Sequence, residues 1–340
     1  MSFLIAGAGA IGAYLGARMA RAGEDVTLFA RGPHLRAMQA DGVRIRCAEG
    51  DFTIRPKVIE KLENAGPFDV IFLAVKAHSL TELAPQIAPL LRDDTVVVST
   101  ENGVPWWYFQ LGAGAFSGLR LERADPGGVI GQSIGVRHVV GAIAYLATEI
   151  VEPGVVHHSG GNRITLGEPD GSRSERTRQI SEVLRNAGFE CPVTSRIRNE
   201  IWGKLLGNVA FNPISTLTRA TVVQMALDPG VSALARNIMV EVEAVATKLA
   251  IELPVSIEKR MAGVEKMGAH KTSMLQDLEA GRPMELEAIV GAVLEIGERL
   301  GVLMPCTQAV YACTKLLGGT SVTTRDLPDL RPERSNSDKG

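Results

Sequence analysis

Residues 3–14 read FLIAGAGAIGAY, an apolar run followed by three glycines spaced as GxGxxG. Apolar residues then recur at helical spacing until Gly23, which predicts a strand, a glycine turn and a helix. In such a unit the first glycine makes a tight turn, the second admits a pyrophosphate, and the third lets the helix pack on the strand. The predicted dinucleotide-binding residues are Gly7, Ala8, Gly9, Ala10, Ile11 and Gly12.

The end of the next predicted strand indicates which dinucleotide is bound. This strand begins at Asp25 and ends in Ala30-Arg31-Gly32. NAD-binding proteins usually carry a carboxylate here for the ribose 2′-hydroxyl. An arginine instead forms charge-assisted hydrogen bonds with a 2′-phosphate, which a carboxylate would repel. We therefore predict NADP(H) rather than NAD(H), with Arg31 as a phosphate ligand; the alternative is that Arg31 is a solvated loop residue.

The pattern of apolar segments divides the chain into two unlike halves. Short apolar runs at 43–45, 70–75 and 95–99 alternate with helical stretches such as 80–91. This alternation predicts an α/β fold, an N-terminal Rossmann domain with a doubly wound parallel sheet. Beyond Ile197 only amphipathic helical segments remain. The expected organisation is an NADP-binding domain over 1–195, an all-α substrate and catalytic domain over 196–320, and a polar, disordered tail over 321–340.

Two polar residues follow predicted strands at the edge where a cofactor would lie. Lys76 ends the strand VIFLAV, and Asn102 follows the strand at 95–99. Ligands of doubly wound sheets bind outside the carboxyl ends of the strands. Both residues are therefore predicted to contact the cofactor, with ordinary loop positions as the alternative.

Composition excludes several classes of function. The chain has 36 Lys plus Arg against 38 Asp plus Glu, so its net charge of −2 disfavours nucleic-acid binding. Four scattered cysteines without CxxC spacing predict neither a disulfide framework nor a zinc site. His157 and His158 are adjacent on a predicted strand and would point to opposite faces, so no metal is expected. Without a signal peptide or membrane-spanning run, the expected location is the cytoplasm.

A polar stripe marks the start of the helical half. Lys204, Asn208 and Asn212 recur every four residues and share one helix face. Such a stripe on an apolar helix either faces water or lines a polar cavity. Further on, Ser273 and Glu285 flank a second helical block, where a helix cap and a first-turn acid are the plain alternatives.

Together these blocks resemble the ketopantoate reductases (2-dehydropantoate 2-reductases), members of the 6-phosphogluconate dehydrogenase-like group. The resemblance runs from Phe3 to about Leu317. It is carried by GAGAIG, Lys76, Asn102-Gly103, the WxKLxxNxxxNP pattern at Trp202–Pro213, and SMLQDL…E at Ser273–Glu285.

The resemblance implies a role for each residue of the stripe. Lys204 would be the general acid, with Glu285 nearby; Asn208 and Asn212 would hold polar groups of the substrate, and Ser273 its carboxylate. The implied reaction is NADPH-dependent reduction of a small 2-keto acid, 2-dehydropantoate by default, in pantothenate biosynthesis. The alternatives are another keto or hydroxy acid and a non-catalytic NADPH sensor. A homodimer is slightly favoured.

The chain departs from the family pattern at two places. Where pantoate-forming members resemble TTTHAA, this chain has Ala142-Ile-Ala-Tyr145-Leu-Ala, without threonine hydroxyls. A pocket with fewer donors should accept a different or less polar keto acid. The Asn-Gly loop also continues into the aromatic run Pro105–Phe109, which predicts a lid, an apolar wall or plain loop packing. The role of His270, three residues before Ser273, stays open.

Overall fold

The computed structural model describes residues 1–111, 116–265 and 268–323. Within these residues the chain forms one nine-stranded sheet and twelve α-helices. The polar tail predicted for 321–340 lies outside the described residues from 324 onward, and the last helix ends at Thr323. In this described part, no helix is long and apolar enough to cross a membrane.

The sheet is parallel through its centre. Its strands are β1 (Ser2–Ala6), β2 (Asp25–Phe29), β3 (Val43–Cys47), β4 (Phe52–Ile54), β5 (Lys57–Ile59), β6 (Val70–Leu73), β7 (Val96–Ser99), β8 (Val139–Glu152) and β9 (Val155–Gly167). They lie in the order β4-β3-β9-β8-β7-β6-β1-β2-β5. The run β5-β2-β1-β6-β7-β8 is parallel throughout and follows the strand order of a Rossmann fold. The predicted fold class is confirmed.

The central strands are apolar because helices or loops cover both faces of the sheet. Strands β6 and β7 are buried at every residue, and β1 is buried after its first residue. Such strands show continuous apolar runs rather than alternation, which is typical of parallel sheets. These short runs made the centre of the sheet predictable from sequence.

One predicted strand occupies an unexpected position. The run at 43–45 forms β3, but β3 pairs with β9 near the far edge of the sheet. The place beside β2 is taken by β5, a three-residue strand. A strand this short has no recognisable period, and the choice between the two edges depends on pairing with distant residues.

Strands β8 and β9 form a long antiparallel hairpin around Pro153-Gly154. The sequence predicted several short segments with a break at Gly160-Gly161. The structure instead keeps one strand there and absorbs the irregularity as register shifts opposite Tyr145 and Ala147. Gly161 has φ +73°, and a Cβ at this position would overlap the carbonyl oxygen of Tyr145. The glycine therefore marks a bulge, not the end of a strand.

The helices divide between the sheet and the second half of the chain. Those beside the sheet are α1 (Ala10–Arg21), α2 (Gly32–Asp41), α3 (Ala77–Ile87), α4 (Val129–Ser133) and α5 (Glu175–Asn186). Those of the second half are α6 (Ile197–Thr218), α7 (Val222–Leu227), α8 (Pro229–Lys248), α9 (Ile257–Glu265), α10 (Ser273–Glu279), α11 (Ala292–Arg299) and α12 (Pro305–Thr323). Helix α6 contacts α8, α10 and α12, so it is the central helix of this half.

A π-helical segment precedes α11 and brings the two halves together. The sequence predicted one regular helix over 285–300, but residues Glu287–Gly291 form a π turn. The carbonyl oxygen of Ala288 accepts a 2.9 Å hydrogen bond from the amide of Val104. Gly103, with φ +96°, lies so close to Ala288 that any side chain there would overlap its backbone. The loop after β7 is thereby fixed against the helical half.

Candidate active site

The three glycines of the first loop have three different surroundings. Gly7 has φ +111°, and a Cβ there would overlap Val75. A Cβ on Gly12 would overlap the carbonyl oxygen of Gly7. Gly9 differs from both, since a Cβ there would meet no atom of the described chain within 4 Å. The first and third glycines are therefore required by packing, whereas the second leaves open space beside the backbone.

That open space lies at the beginning of α1. Gly9 is the N-cap of α1, and no side chain caps this helix end. The first amides of a helix have no partner within it, and they carry the positive end of the helix dipole. Ala8 is fixed by a 2.7 Å hydrogen bond from its amide to the carbonyl oxygen of Phe29. The loop therefore offers what a pyrophosphate needs, namely free amide donors, positive potential and room to approach.

Arg31 lies at the carboxyl end of β2, where the second strand meets the same crevice. Its side chain is 56% exposed, its guanidinium lies 5.4 Å from the ring centroid of Phe29, and it forms a 3.3 Å ion pair with Glu82 of α3. An exposed ion pair of this kind contributes little free energy and is easily exchanged for another partner. Arg31 is therefore available to a phosphate, although binding one would separate it from Glu82.

Lys76 connects the sheet to the helical half. It follows β6, next to the point where the strand order reverses, and is the N-cap of α3. Its ammonium group forms an ion pair with Asp277 of α10, whose side chain is 6% exposed. Asp277 also accepts a 3.2 Å hydrogen bond from Arg282. Contact between Lys76 and a cofactor stays a prediction; in the structure its charge is directed toward α10.

Helix α6 directs its polar stripe toward the sheet. Lys204 and Asn208 line a small pocket between α6 and the ends of β7 and β8, together with Asn102, Ile143 and Ile201. The third member of the stripe, Asn212, is 5% exposed and lies deeper. Its Nδ2 atom has no hydrogen-bond partner among the residues that the structure describes. Lys204 and Asn208 therefore line a small cavity and Asn212 is buried, so the stripe does not form a solvated surface.

Lys204 is held by two acceptors from the sheet side. Its Nζ donates to Asn102 Oδ1 at 2.6 Å and to the carbonyl oxygen of Ala144 in β8 at 2.7 Å. It also lies 5.6 Å from the ring centroid of Tyr145. An ammonium group has three donors, so one remains for a ligand in the pocket. Burial lowers the pKa of Lys204 to about 8, and the charge of Glu285 opposes this shift.

Asn102 connects Lys204 to Glu285. Its Nδ2 donates to Glu285 Oε2 at 3.4 Å, and the other oxygen of Glu285 accepts the amide of Ala77 at 3.1 Å. Burial raises the pKa of Glu285, while the Ala77 amide, Lys76 and Asn102 counteract the shift. Glu285 therefore acts on Lys204 through Asn102 and the electrostatic field, since the two charged groups are not hydrogen-bonded to each other.

The remaining predicted residues lie near α10. Ser273 is exposed in the first turn of α10, and the cap of this helix is Thr272, which accepts the amide of Leu275 at 3.2 Å. The plain alternative that Ser273 caps the helix is therefore wrong. His270 contributes its carbonyl oxygen to the amide of Val222 at 2.9 Å. The role of Ser273 as a carboxylate ligand stays a prediction.

Sequence reasoning missed Glu101. This residue precedes Asn102, lines the same pocket and is 8% exposed. Its Oε2 accepts a 2.6 Å hydrogen bond from Ser99, whose hydroxyl oxygen accepts the indole N–H of Trp107 at 2.7 Å. Burial raises the pKa of Glu101; the hydrogen bond from Ser99 opposes this shift, and nearby Glu285 adds to it. Only its position beside Asn102 could have indicated it, because a glutamate in a loop is usually solvated.

The aromatic run after Asn102 packs in the core. The four aromatic side chains of this run are each at most 4% exposed: Trp106, Trp107, Tyr108 and Phe109. The prediction of a lid is therefore wrong, and plain loop packing is observed. The hydroxyl oxygen of Tyr108 accepts a 2.7 Å hydrogen bond from the indole N–H of Trp202 on α6. The loop thus fixes α6 two residues before Lys204.

The adjacent histidines of β9 have separate partners. His157 pairs with Glu149 at 3.2 Å, whereas His158 stacks on Tyr14 with ring centroids 4.3 Å apart. No group of three or more His, Cys, Asp or Glu side chains suited to a metal ion occurs in the described part of the chain.

Comparison with known proteins identifies the family. The family model "Ketopantoate reductase PanE/ApbA" matches residues 3–106, and "Ketopantoate reductase PanE/ApbA C terminal" matches residues 196–318. The chain belongs to the ketopantoate reductase family. It is therefore an oxidoreductase acting on CH–OH groups, and ketopantoate reductases use NADPH. The loop at Gly9 and the exposed Arg31 fit such a cofactor.

Individual relatives match along nearly the whole chain. A 2-dehydropantoate 2-reductase of Mesorhizobium japonicum is 47% identical over 93% of this chain and 98% of its own length. A solved structure from Ralstonia solanacearum, named as a candidate ketopantoate reductase, is 39% identical with TM-score 0.89, covering 94% of this chain and 98% of that one. D-mandelate dehydrogenase, solved with NADH and anilino(oxo)acetate, shares the fold with TM-score 0.82 at 20% identity, over 95% of this chain and all of that one.

Proposed function

We propose that this chain reduces 2-dehydropantoate to pantoate with NADPH, the pantoate-forming step of pantothenate biosynthesis, with Lys204 as the general acid. The observation that carries the proposal is the arrangement at Lys204. Two of its donors are held by Asn102 and Ala144, and the third is available to the pocket. A keto oxygen placed there would be polarised by the ammonium group and would accept its proton.

The reaction divides between the cofactor and the chain. Bound NADPH would supply the hydride for the keto carbon. Lys204 transfers a proton to the keto oxygen as negative charge develops there, which yields the 2-hydroxy acid and leaves a neutral amine. Asn102 and Ala144 fix the amine over the substrate. Glu285, through Asn102, favours the charged form of Lys204 and promotes its reprotonation.

The proposed binding residues follow from their positions. The loop Gly7–Gly12 would hold the pyrophosphate, Arg31 the 2′-phosphate, and Lys76 and Asn102 the nicotinamide side of the cofactor. Asn208 and Asn212 would hold polar groups of the keto acid, and Ser273 its carboxylate. A division into a cofactor domain over 1–195 and a catalytic domain over 196–320 belongs to the same proposal.

A second candidate is the reduction of a less polar 2-keto acid. It is favoured by the pocket wall formed by β8, where Ile143 lines the pocket and Tyr145 flanks Lys204. Neither side chain provides the aliphatic hydroxyl expected of a pantoate-forming site. An apolar wall binds apolar substituents by burying them and contributes no hydrogen bond to a substrate hydroxyl.

The test is to follow NADPH absorbance at pH 7 with a panel of 2-keto acids. The panel contains ketopantoate, an aliphatic keto acid without the hydroxyl, and an aromatic one. The expected result is the highest kcat/KM on ketopantoate. Preference for a keto acid without the hydroxyl would establish the second candidate instead. NADPH binding without turnover of any of the three would contradict both.

We also propose a cytoplasmic homodimer. All four cysteines are free, which fits a reducing compartment. Leu303 and Leu316, near and on α12, are 88% and 70% exposed, and burying such side chains in a dimer interface would stabilise the dimer. Light scattering of the purified protein should give the mass of two chains; the mass of one would contradict the dimer.

A further inference from the structure

Glu101 is an unusual wall residue for a pocket that would receive an anion. It lies at the carboxyl end of β7, beside Asn102, and lines the pocket that also contains Lys204 and Asn208. The residue is 92% buried. An ionised carboxylate here would repel the carboxylate of a keto acid, so the residue must either be neutral or oppose binding.

One oxygen of Glu101 is anchored and the other is not. Oε2 accepts the 2.6 Å hydrogen bond from the hydroxyl of Ser99. Oε1 is fully buried and has no hydrogen-bond partner among the described residues. A buried polar atom without a partner costs free energy, and such atoms in native proteins usually acquire one from a ligand or water.

The surroundings favour the neutral carboxylic acid. Burial is the largest influence and raises the pKa of Glu101; hydrogen bonds from the Ser99 hydroxyl and from the backbone amide of Glu101 lower it, the charge of Glu285 raises it, and the net shift is upward. Lys204, the cation of this pocket, donates to Asn102 and Ala144 rather than to Glu101. A protonated Glu101 would retain Oε2 as the acceptor for Ser99 and carry its proton on Oε1. The free atom then becomes a hydrogen-bond donor.

The aromatic loop maintains this orientation. Trp107 is 1% exposed and donates its indole N–H to the hydroxyl oxygen of Ser99 at 2.7 Å. That bond leaves the hydroxyl hydrogen of Ser99 for Glu101. The chain Trp107–Ser99–Glu101 therefore fixes which carboxyl oxygen faces Ser99, and the other is left without a partner among the described residues.

We propose that Glu101 is a substrate-binding residue whose carboxylic acid donates a hydrogen bond from Oε1 to an oxygen of the bound 2-keto acid. The proposal rests on the proposed function and deepens it. It gives the pocket a second donor, neutral and on the sheet side, opposite the ammonium group from α6. It also assigns the aromatic loop a task in substrate recognition, because Trp107 orients Glu101 through Ser99.

Two substitutions of Glu101 distinguish the loss of its hydrogen-bond donor from a change in its size or shape. Glu101→Gln keeps the shape, an oxygen for Ser99 and an N–H₂ donor for the pocket. Glu101→Met keeps the approximate volume and removes the donor. With ketopantoate and saturating NADPH, Glu101→Met should raise KM about 10- to 100-fold, the range expected for loss of a hydrogen bond to a charged group. Glu101→Gln should raise KM less than about fivefold, and the Kd of NADPH should stay constant in both.

The control is Glu298→Met, which removes an exposed glutamate of α11 and should not change KM. Equal KM values for the wild type and Glu101→Met would overturn the proposal. A lower KM in both Glu101 variants would also overturn it, because this would indicate an ionised carboxylate that repels the substrate. A change confined to the affinity for NADPH would overturn it as well. If Glu101→Met does not fold, Ser99→Ala replaces it; loss of the anchor should raise KM, and an unchanged KM would overturn the proposal.

The same experiment distinguishes failure of the proposed function from failure of the proposed role of Glu101. One outcome is that the wild type turns over no keto acid and still binds ketopantoate in a calorimetric titration of its NADP⁺ complex. In that case the proposed reductase function is wrong, and the role of Glu101 is tested by the Kd of ketopantoate for each variant instead of by KM. If the wild type neither binds nor reduces a keto acid, both proposals fall. If the wild type is active and Glu101→Met is equally active, only the role of Glu101 falls.

Discussion

Lys204 combines burial with a single remaining donor, and its ionisation should control the reaction. Its pKa is lowered to about 8 by burial, so the ammonium form predominates at pH 7. The proton is lost as pH rises through this value. We expect kcat/KM for keto acid reduction to fall as pH increases through about 8, because the neutral amine has no proton to give.

The control for this pH profile is Lys204→Arg. A guanidinium stays protonated throughout the accessible range, so whatever activity this variant retains should lack the decline attributed to Lys204. The reverse oxidation should show the opposite trend and increase through about pH 8, since it requires the neutral amine as base. A wild-type kcat/KM for reduction that stays constant or rises across this range would contradict the assignment.

The second prediction at the residue scale concerns Arg31 and the choice between NADPH and NADH. Arg31→Ser should raise the KM of NADPH about 10- to 100-fold through loss of charge-assisted hydrogen bonds to the 2′-phosphate. The KM of NADH should change little. Arg173→Ser, at an exposed arginine before α5, serves as the control. Equal effects on NADPH and NADH would show that Arg31 does not recognise the 2′-phosphate.

At the scale of elements, the glycine loop offers a matched pair of substitutions. Gly9→Ala places a methyl group where the structure has open space, with φ −74° that alanine tolerates. Its unfolding free energy should stay within about 0.5 kcal/mol of the wild type. NADPH affinity should nevertheless fall at least about tenfold, because the methyl group occupies the space needed by the pyrophosphate.

Gly12→Ala is the structural counterpart. The added Cβ would overlap the carbonyl oxygen of Gly7, so the unfolding free energy should fall by about 1–3 kcal/mol. Urea denaturation and NADPH titration of both variants provide the measurements. Unchanged NADPH affinity in a stable Gly9→Ala variant would show that the open space is not the pyrophosphate site.

The elements themselves differed in how well sequence predicted them. The unit β1–loop–α1 is local, and its glycine spacing is nearly sufficient to define it. The hairpin β8–β9 was fragmented in the prediction because Gly160 and Gly161 resemble a strand end. A pair of glycines can mark either a β-bulge or the end of a strand. Here the partner strand distinguishes the two, because Tyr145 of β8 lies against Gly161 and the pairing continues beyond it.

At the scale of the whole molecule, the site is formed by residues distant in sequence. The stripe of α6 was visible because its residues recur every four positions. The connection from Lys204 through Asn102 to Glu285 was not, since Asn102 and Glu285 are 183 residues apart and meet only where the π segment packs on the loop after β7. Glu101 was missed for the same reason: its partner Ser99 is bonded to Trp107, and the pocket it lines is shared with residues of α6.

The near-neutral net charge also has a structural explanation at this scale. The cations of the predicted site each have a protein partner in the structure: Arg31 has Glu82, Lys76 has Asp277, and Lys204 has Asn102 together with the field of Glu285. Local positive charge for an anionic cofactor and substrate is thus compatible with a total of −2. Overall charge disfavoured a nucleic-acid partner but carried no information about this crevice.

The central claim is that the helical half supplies Lys204 as the acid for a hydride transfer that takes place on the sheet half. The most direct measurement compares the wild type with Lys204→Met in NADPH oxidation by ketopantoate at pH 7, with NADPH affinity determined by fluorescence titration. The wild type should turn over, and Lys204→Met should lose at least about 100-fold in kcat while its Kd for NADPH stays unchanged. Turnover by Lys204→Met at the wild-type rate would contradict the account.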